Sequence, residues 1–243
     1  MKVVGIIPAR YESSRFPGKP LIDLKGKSMI QRVYEGVQKS PLLTEVIVAT
    51  DDVRIIKEVE SFGGKVMMTS ENHSTGTDRC GEIALTVDAD VIINIQGDEP
   101  LVDFRQLDQL ISAFEDENVE IASLGISSVS QEDKMNPNRI KIVLDKKKDA
   151  LYFSRSPIPN SENAKKEAIK NFQFFRHIGV YAYRKATLLK LVNLDKTELE
   201  QVESLEQLRW MYHGYSIRIV ETTIETPNID VPEDVQKVLS QLS

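Results

Sequence analysis

A chain of 243 residues, 41% hydrophobic and 28% charged, can bury a substantial core as one α/β domain or as one domain carrying a sub-domain. Its net charge of −6 argues against a broad nucleic-acid or membrane-binding face, since phosphate backbones and anionic lipids demand clustered Lys and Arg. A lone cysteine, Cys80, excludes an intrachain disulfide framework and a Cys-based zinc site, and no apolar run is long enough for a signal core or a membrane span, so a cytosolic location is expected.

Residues 3–9 read as a buried strand, 29–37 as a helix with apolar positions at 29, 30, 33 and 37, and 45–50 as a second strand. A helix over 53–62 is stopped by Gly63-Gly64. A third strand follows at 65–69, a helix at 77–87, an uncharged central strand at 91–95 and a helix at 104–114 capped by Asp103. This alternation predicts a doubly wound, mostly parallel α/β sheet. From about residue 119 to 190 it breaks down: 121–128, 140–144, 150–154 and 178–183 are all strand-like, so an inserted, smaller strand-rich region is expected. Residues 160–171, polar and rich in Lys and Glu, read as a surface loop. A helix at 199–212, a strand at 217–223 and a last helix from Pro232 complete the chain.

The strongest local signal is the segment Pro8-Ala9-Arg10-Tyr11-Glu12-Ser13-Ser14-Arg15-Phe16-Pro17-Gly18-Lys19-Pro20 after the first strand. Ligands of doubly wound sheets sit beyond the carboxyl ends of the strands, so Arg10, Arg15 and Lys19 stand where a triphosphate would lie. The three prolines reduce the ordering entropy lost on binding. Gly26-Lys27-Ser28 imitates the end of a P-loop, but the glycine required five positions earlier is Leu21. Gly-x-Gly-x-x-Gly is absent after the first strand, which removes the main support for a dinucleotide-binding dehydrogenase. His73, His177 and His213 lack zinc spacing, and there is no Gly-x-Ser-x-Gly elbow.

Gln96-Gly97-Asp98-Glu99-Pro100 ends the central strand. Asp98 is placed to hold Mg²⁺, which takes one or two protein carboxylates plus phosphate oxygens; the alternative is that Asp98 and Glu99 satisfy turn amides. Asp230, in Asn228-Ile229-Asp230-Val231-Pro232-Glu233-Asp234, reads without context as a structural charge before a helix N-terminus.

Taken in order with Gly76-Thr77-Asp78-Arg79, Asn136-Pro137-Asn138, Tyr152-Phe153-Ser154-Arg155, Arg176-His177-x-Gly179-x-Tyr181, Leu205-Glu206-Gln207-Leu208-Arg209 and Asp230-x-Pro232-Glu233-Asp234, these segments resemble, over essentially the whole chain, the cytidylyltransferases that activate 3-deoxy-D-manno-octulosonate (Kdo). The resemblance implies one nucleotidyltransferase domain over 1–243, with a Rossmann-like sheet of the nucleotide-diphospho-sugar transferase type and a sugar-binding, dimerising insertion at about 119–190. It implies transfer of CMP from CTP to an acidic eight-carbon sugar for lipopolysaccharide biosynthesis, with Mg²⁺ as cofactor and a homodimer as the assembly. By the same resemblance Arg10, Ser13 or Ser14, Arg15 and Lys19 would hold the phosphates. Thr75, Gly76, Thr77 and Arg79 would meet cytosine and ribose, and Gln96, Arg155, His177, Tyr181, Glu206 and Gln207 would line the sugar pocket. Asp98 and Asp230 would be the metal ligands, which reverses the structural reading of Asp230; with Lys19 and Arg15 they make the catalytic set. Thr75 and Asp78 stand where serine and glutamate are usual in that family, so sugar selectivity between Kdo, its 8-amino analogue and sialic acid stays open. A non-catalytic nucleotide-binding module is the alternative from another class.

Overall fold

The computed structural model describes residues 1–12, 16–127 and 129–242. Strands β1 (Val3–Ala9), β2 (Glu45–Thr50), β3 (Val66–Met68) and β4 (Val91–Asn94) alternate with helices α1 (Met29–Val37), α2 (Val53–Ser61) and α3 (Gly76–Thr86), and α4 (Phe104–Ser112) follows β4. The helix starts are dictated locally: Ser28, Asp52 and Asp103 each accept a hydrogen bond from an amide in the first turn of α1, α2 and α4. Thr75 and Asp78 form a reciprocal capping box on α3.

Beyond α4 come β5 (Ile121–Ile126), α5 (Gln131–Met135), β6 (Lys141–Leu144), β7 (Ala150–Ser154), α6 (Lys166–Asn171), β8 (Phe175–Arg184), α7 (Lys185–Leu191), α8 (Glu198–Glu203), α9 (Gln207–Tyr212), β9 (Arg218–Glu221) and α10 (Asp234–Gln241). One sheet takes all nine strands, in the order β3-β2-β1-β4-β8-β5-β9, with β6 and β7 branching from β8. The β3-β2-β1-β4 half is parallel, whereas β8 runs antiparallel between β4 and β5.

Alternation along β1 divides the core. Val3 and Ile7 face a cluster with Ile30 and Val33 of α1 and Leu107 of α4. Val4 and Ile6 face the opposite cluster, with Cys80 and Ile83 of α3, Leu188 of α7 and Trp210 of α9. A third, small cluster joins Leu24, Met29, Ile229, Val238 and Leu242. It pins the C-terminal segment beside the entry of α1.

Four expectations are corrected. The surface loop 160–171 contains α6, which has no side-chain cap and buries nothing. The region expected to be strand-rich also holds helix α5 at 131–135, and α7 follows at 185–191. The single helix expected at 199–212 is two, because Ser204 adopts a left-handed conformation at φ 51° and turns the chain between α8 and α9. The last helix starts at Asp234 rather than Pro232. Gly26-Lys27-Ser28 is a tight turn with Gly26 at φ +80°, and Ser28 serves as the α1 cap, so the rejected P-loop stays rejected.

Candidate active site

The sheet order places β2 on one side of β1 and β4 on the other, which makes the carboxyl ends of β1 and β4 a topological switch point where a crevice opens. A cavity of about 340 Å³ occupies it. Arg10 and Lys19 of the first loop line it, with Thr75, Gly76, Thr77 and Arg79 of α3 and its cap, Gln96, Gly97 and Asp98 after β4, and Tyr181 and Glu206 from the far half of the chain. Ser13, Ser14 and Arg15 lie outside the described residues.

Lys19 is the hub of the cationic end. Its Nζ donates to Asp98 Oδ2 at 2.9 Å and to the Ile229 carbonyl at 2.8 Å. The Ile229 amide in turn donates to the Asp98 carbonyl at 2.9 Å. Asp230 therefore sits one residue beyond a peptide clamped to Asp98, although 132 positions separate the two in the chain (230 minus 98). The Asp230 carboxylate accepts from Asn228 Nδ2 at 2.7 Å, and its backbone amide donates to Asp234 Oδ2 at 2.9 Å. Asp230 is not among the residues of the cavity wall.

At the other end Glu206 accepts from Thr77 Oγ1 at 2.9 Å. Burial pushes its carboxyl above the ordinary glutamate range, opposed by that hydrogen bond. A bulge shapes this wall. Ser123 of β5 pairs with Tyr181 of β8 while Leu124 pairs with Ile178, so extra β8 residues loop out and re-aim the strand. The loop presents the Gly179 carbonyl to Gln96 Nε2 at 2.7 Å and the Val180 carbonyl to the Ser123 hydroxyl at 2.9 Å. His177 Nε2 lies 2.9 Å from the same hydroxyl. Its ring packs 5.2 Å from those of Phe153 and Tyr181, and burial, with Arg176 nearby, depresses its pKa to about 3.

The family-model description "Cytidylyltransferase" matches residues 4–220. A 3-deoxy-manno-octulosonate cytidylyltransferase of Parabacteroides distasonis is 49% identical, covering 100% of this chain and 99% of that one. The enzyme of that name from Geobacter metallireducens is 46% identical, covering 100% and 98%. The chain belongs to the 3-deoxy-manno-octulosonate cytidylyltransferase family. A solved structure described as CMP:2-keto-3-deoxy-manno-octonic acid synthetase complexed with CTP superposes with a TM-score of 0.93 at 43% identity, covering 99% of this chain and 98% of that one. At 14% identity, the 4-diphosphocytidyl-2C-methyl-D-erythritol synthase of Anaerococcus prevotii has a TM-score of 0.64, a likeness of fold alone.

Family membership does not put every expected residue in the cavity wall. Arg155 is absent from it: the guanidinium donates to the carbonyls of Glu203, Pro137 and Ser204 at 2.7, 3.0 and 3.2 Å. It ties the turn at Ser204, which precedes Glu206, to the Asn136-Pro137-Asn138 segment. Gln207, buried at the start of α9, and His177, whose ring packs on Tyr181, are absent from the wall as well. Arg79 lines the cavity, but its guanidinium is held by Asp51, by Thr69 Oγ1 at 2.7 Å and by the Ser70 carbonyl at 3.1 Å. It anchors the ends of β2 and β3 to α3.

Sequence reasoning missed His73, Ser74 and Asn94, which also line the wall. His73 pairs with Glu82, and its place two residues before the α3 cap, Thr75, was the one signal. Gly97 was quoted only as part of a motif. A Cβ there would lie 2.7 Å from the Pro8 carbonyl oxygen, closer than any tolerated contact, because the β4 loop crosses the first loop at backbone distance. Gly97→Ala should therefore push the two loops apart, raising KM for CTP at least about tenfold with a smaller change in kcat. Steady-state kinetics checks it, and an unchanged KM would show that the crossing has slack.

Proposed function

We propose that this enzyme transfers CMP from CTP to the anomeric hydroxyl of Kdo in the cytoplasm, releasing pyrophosphate and supplying the activated sugar for lipopolysaccharide biosynthesis. The observation that carries the reading is the polarity of one cavity. The cations Arg10 and Lys19 stand at one end, and Glu206, held by Thr77 at the N-terminus of α3 and near Tyr181, stands at the other. A triphosphate suits the first end and a hydroxyl-rich sugar the second. Full-length relatives named for this reaction support the same substrates.

In this reading the sugar hydroxyl attacks the α-phosphorus in line. A new P–O bond forms as the bond to the β-phosphate breaks, and pyrophosphate departs with that electron pair while the hydroxyl loses its proton. Arg10 and Lys19, joined by Ser13 or Ser14 and Arg15, bind the phosphates. Thr75, Gly76 and Thr77 orient the nucleoside, with Arg79 holding that wall rigid. Gln96, Tyr181 and Glu206 contact the sugar, supported by Arg155, His177 and Gln207. The protein supplies position and charge complementarity.

Asp98 and the segment bearing Asp230 fit a divalent cation such as Mg²⁺. Their surroundings already attract the Lys19 ammonium, which bonds the Asp98 carboxylate and the Ile229 carbonyl. Among the described residues no cluster of three or more His, Cys, Asp or Glu could hold a metal, so a cation here would complete its shell with phosphate oxygens and water. Bound there, it would neutralise charge on the α-phosphate and lower the pKa of the attacking hydroxyl.

Pyrophosphate release with CTP and UTP against Kdo, 8-amino-Kdo, sialic acid and hexose-1-phosphates tests the reading. The expected result is a preference for CTP with Kdo on the order of 10²-fold in kcat/KM. Preference for the 8-amino sugar would move the substrate, and CTP binding without turnover on any sugar would leave a nucleotide-binding module. A homodimer using the 119–190 region is part of the proposal, and a single-chain mass by light scattering would remove it. No helix among the described residues is long and apolar enough to cross a membrane.

A further inference from the structure

After β9 the chain runs from 222 to 233 without helix or strand, and this strap carries Asp230 across the mouth of the sheet. Such a segment has no ladder of its own to hold it, so the position of its carboxylate depends on what ties it down. The ties fall in chain order. Thr222 donates its amide to the Gly125 carbonyl at 2.9 Å, and its hydroxyl accepts from the Ile224 amide at 3.2 Å. The Ile224 carbonyl accepts from Gln106 Nε2 of α4 at 2.8 Å. Thr226 Oγ1 donates to Glu99 Oε2 at 2.9 Å. Ile229 is fully buried as a peg in the small cluster with Leu24 and Met29, with its amide on Asp98.

Two of these partners are unusual for their type. Gln106 is 2% exposed and Glu99 is 8% exposed, although both are side chains that ordinarily stay in water. Neither lines the cavity, so substrate contact does not account for their burial. Glu99 reaches from the β4–α4 connection, which also carries Asp98, and Gln106 from the first turn of α4, each to a point on the strap a few residues before Asp230.

We infer that Gln106, Glu99 and Thr226 are positioning residues that latch the strap to α4 and the connection before it, and so fix Asp230 against Asp98. The inference rests on the reading of those two carboxylates as a divalent-cation site. The latch acts through the strap and touches no reacting atom. Its Thr226 end is the best point to cut, because Val has nearly the shape of Thr and lacks only the donated hydroxyl.

The test is Mn²⁺ titrated into the full chain with CTP and no sugar, read by electron paramagnetic resonance, together with amide hydrogen exchange of the peptide covering 222–231. Thr226→Val should weaken Mn²⁺ binding about 10- to 100-fold, as loss of partners behind metal ligands does elsewhere. It should also speed exchange at 224–230 and leave CTP affinity without metal unchanged. In turnover, half-saturating Mg²⁺ should rise while kcat at saturating Mg²⁺ stays within about threefold of wild type. Thr226→Ser should restore both readouts. Gln106→Met, which cuts the other tie, should reproduce the effect and serves in place of Thr226→Val should that variant melt early. Asp230→Asn separates the two ideas. If it leaves Mn²⁺ affinity intact, the cation site is wrong. If it weakens Mn²⁺ while Thr226→Val and Gln106→Met change neither affinity nor exchange, the latch is wrong.

Discussion

Asp98→Asn should lower kcat/KM for CMP transfer by about 10²- to 10³-fold, the usual cost of removing one group that stabilises transition-state charge. Asparagine keeps the shape of the side chain and the backbone carbonyl that accepts from Ile229 at 2.9 Å, so the strap keeps its tie and the loss is one of charge. Two consequences distinguish this from general damage. Half-saturating Mg²⁺ should rise sharply, because one of the two carboxylates available to the ion is gone. Lys19, losing its partner at 2.9 Å, stays on the Ile229 carbonyl and remains available to phosphate, so CTP binding without metal should hold or tighten slightly. Pyrophosphate-release kinetics over a Mg²⁺ series and calorimetric CTP titration measure both. Activity within threefold of wild type, or a loss confined to CTP affinity, would remove Asp98 from the reaction centre.

The parallel half of the fold was legible because its signals are local. In β1, α1 and β2 the observed ends coincide with those read from the pattern, since Ser28 caps α1 and the strands are short β-branched runs. The helices missed are those whose signals are not local. Helix α6 buries no residue, so no apolar stripe marks it, and α7 starts immediately after β8 with no turn between. The break at Ser204 is held by Arg155, from 49 residues earlier, donating to the Glu203 and Ser204 carbonyls, and no glycine announced it. The site follows the same division. Arg10, Lys19 and Asp98 were readable because the crevice of a doubly wound sheet is a consequence of strand order. Asp230 alone reads as a helix-end charge, and only the resemblance pointed to it, since the Ile229–Asp98 peptide contact is purely tertiary. Glu99, the neighbour of Asp98 in the same motif, turns inward to Thr226; sequence gives no sign of which neighbour points where.

Below pH 6.5, His177 should make the metal-free protein progressively less stable relative to a His177→Gln variant. The folded state keeps this ring neutral down to about 3, whereas the unfolded chain protonates it near the ordinary value of about 6.5. The unfolded state then binds the extra proton, so stability is fully present above pH 6.5 and is lost as pH falls through that value towards 3, at about 1.4 kcal/mol per pH unit. The wild-type curve alone hides this. Glu99, pushed up to about 7 by burial and by the neighbouring Asp98 charge, keeps its proton in the folded state, so its contribution falls as pH rises from about 4.5 to 7. Between pH 4.5 and 6.5 the slopes of these two groups oppose each other. Removing the imidazole leaves the glutamate slope uncovered. The difference, wild type minus His177→Gln, should therefore increase by about 2 to 3 kcal/mol between pH 4.5 and 6.5 and level off above. Urea unfolding of both proteins in chelator at four pH values measures it. A difference that does not vary with pH would mean that the ring protonates in place, and that the Ser123 hydroxyl and the two aromatic neighbours do not seal it from water.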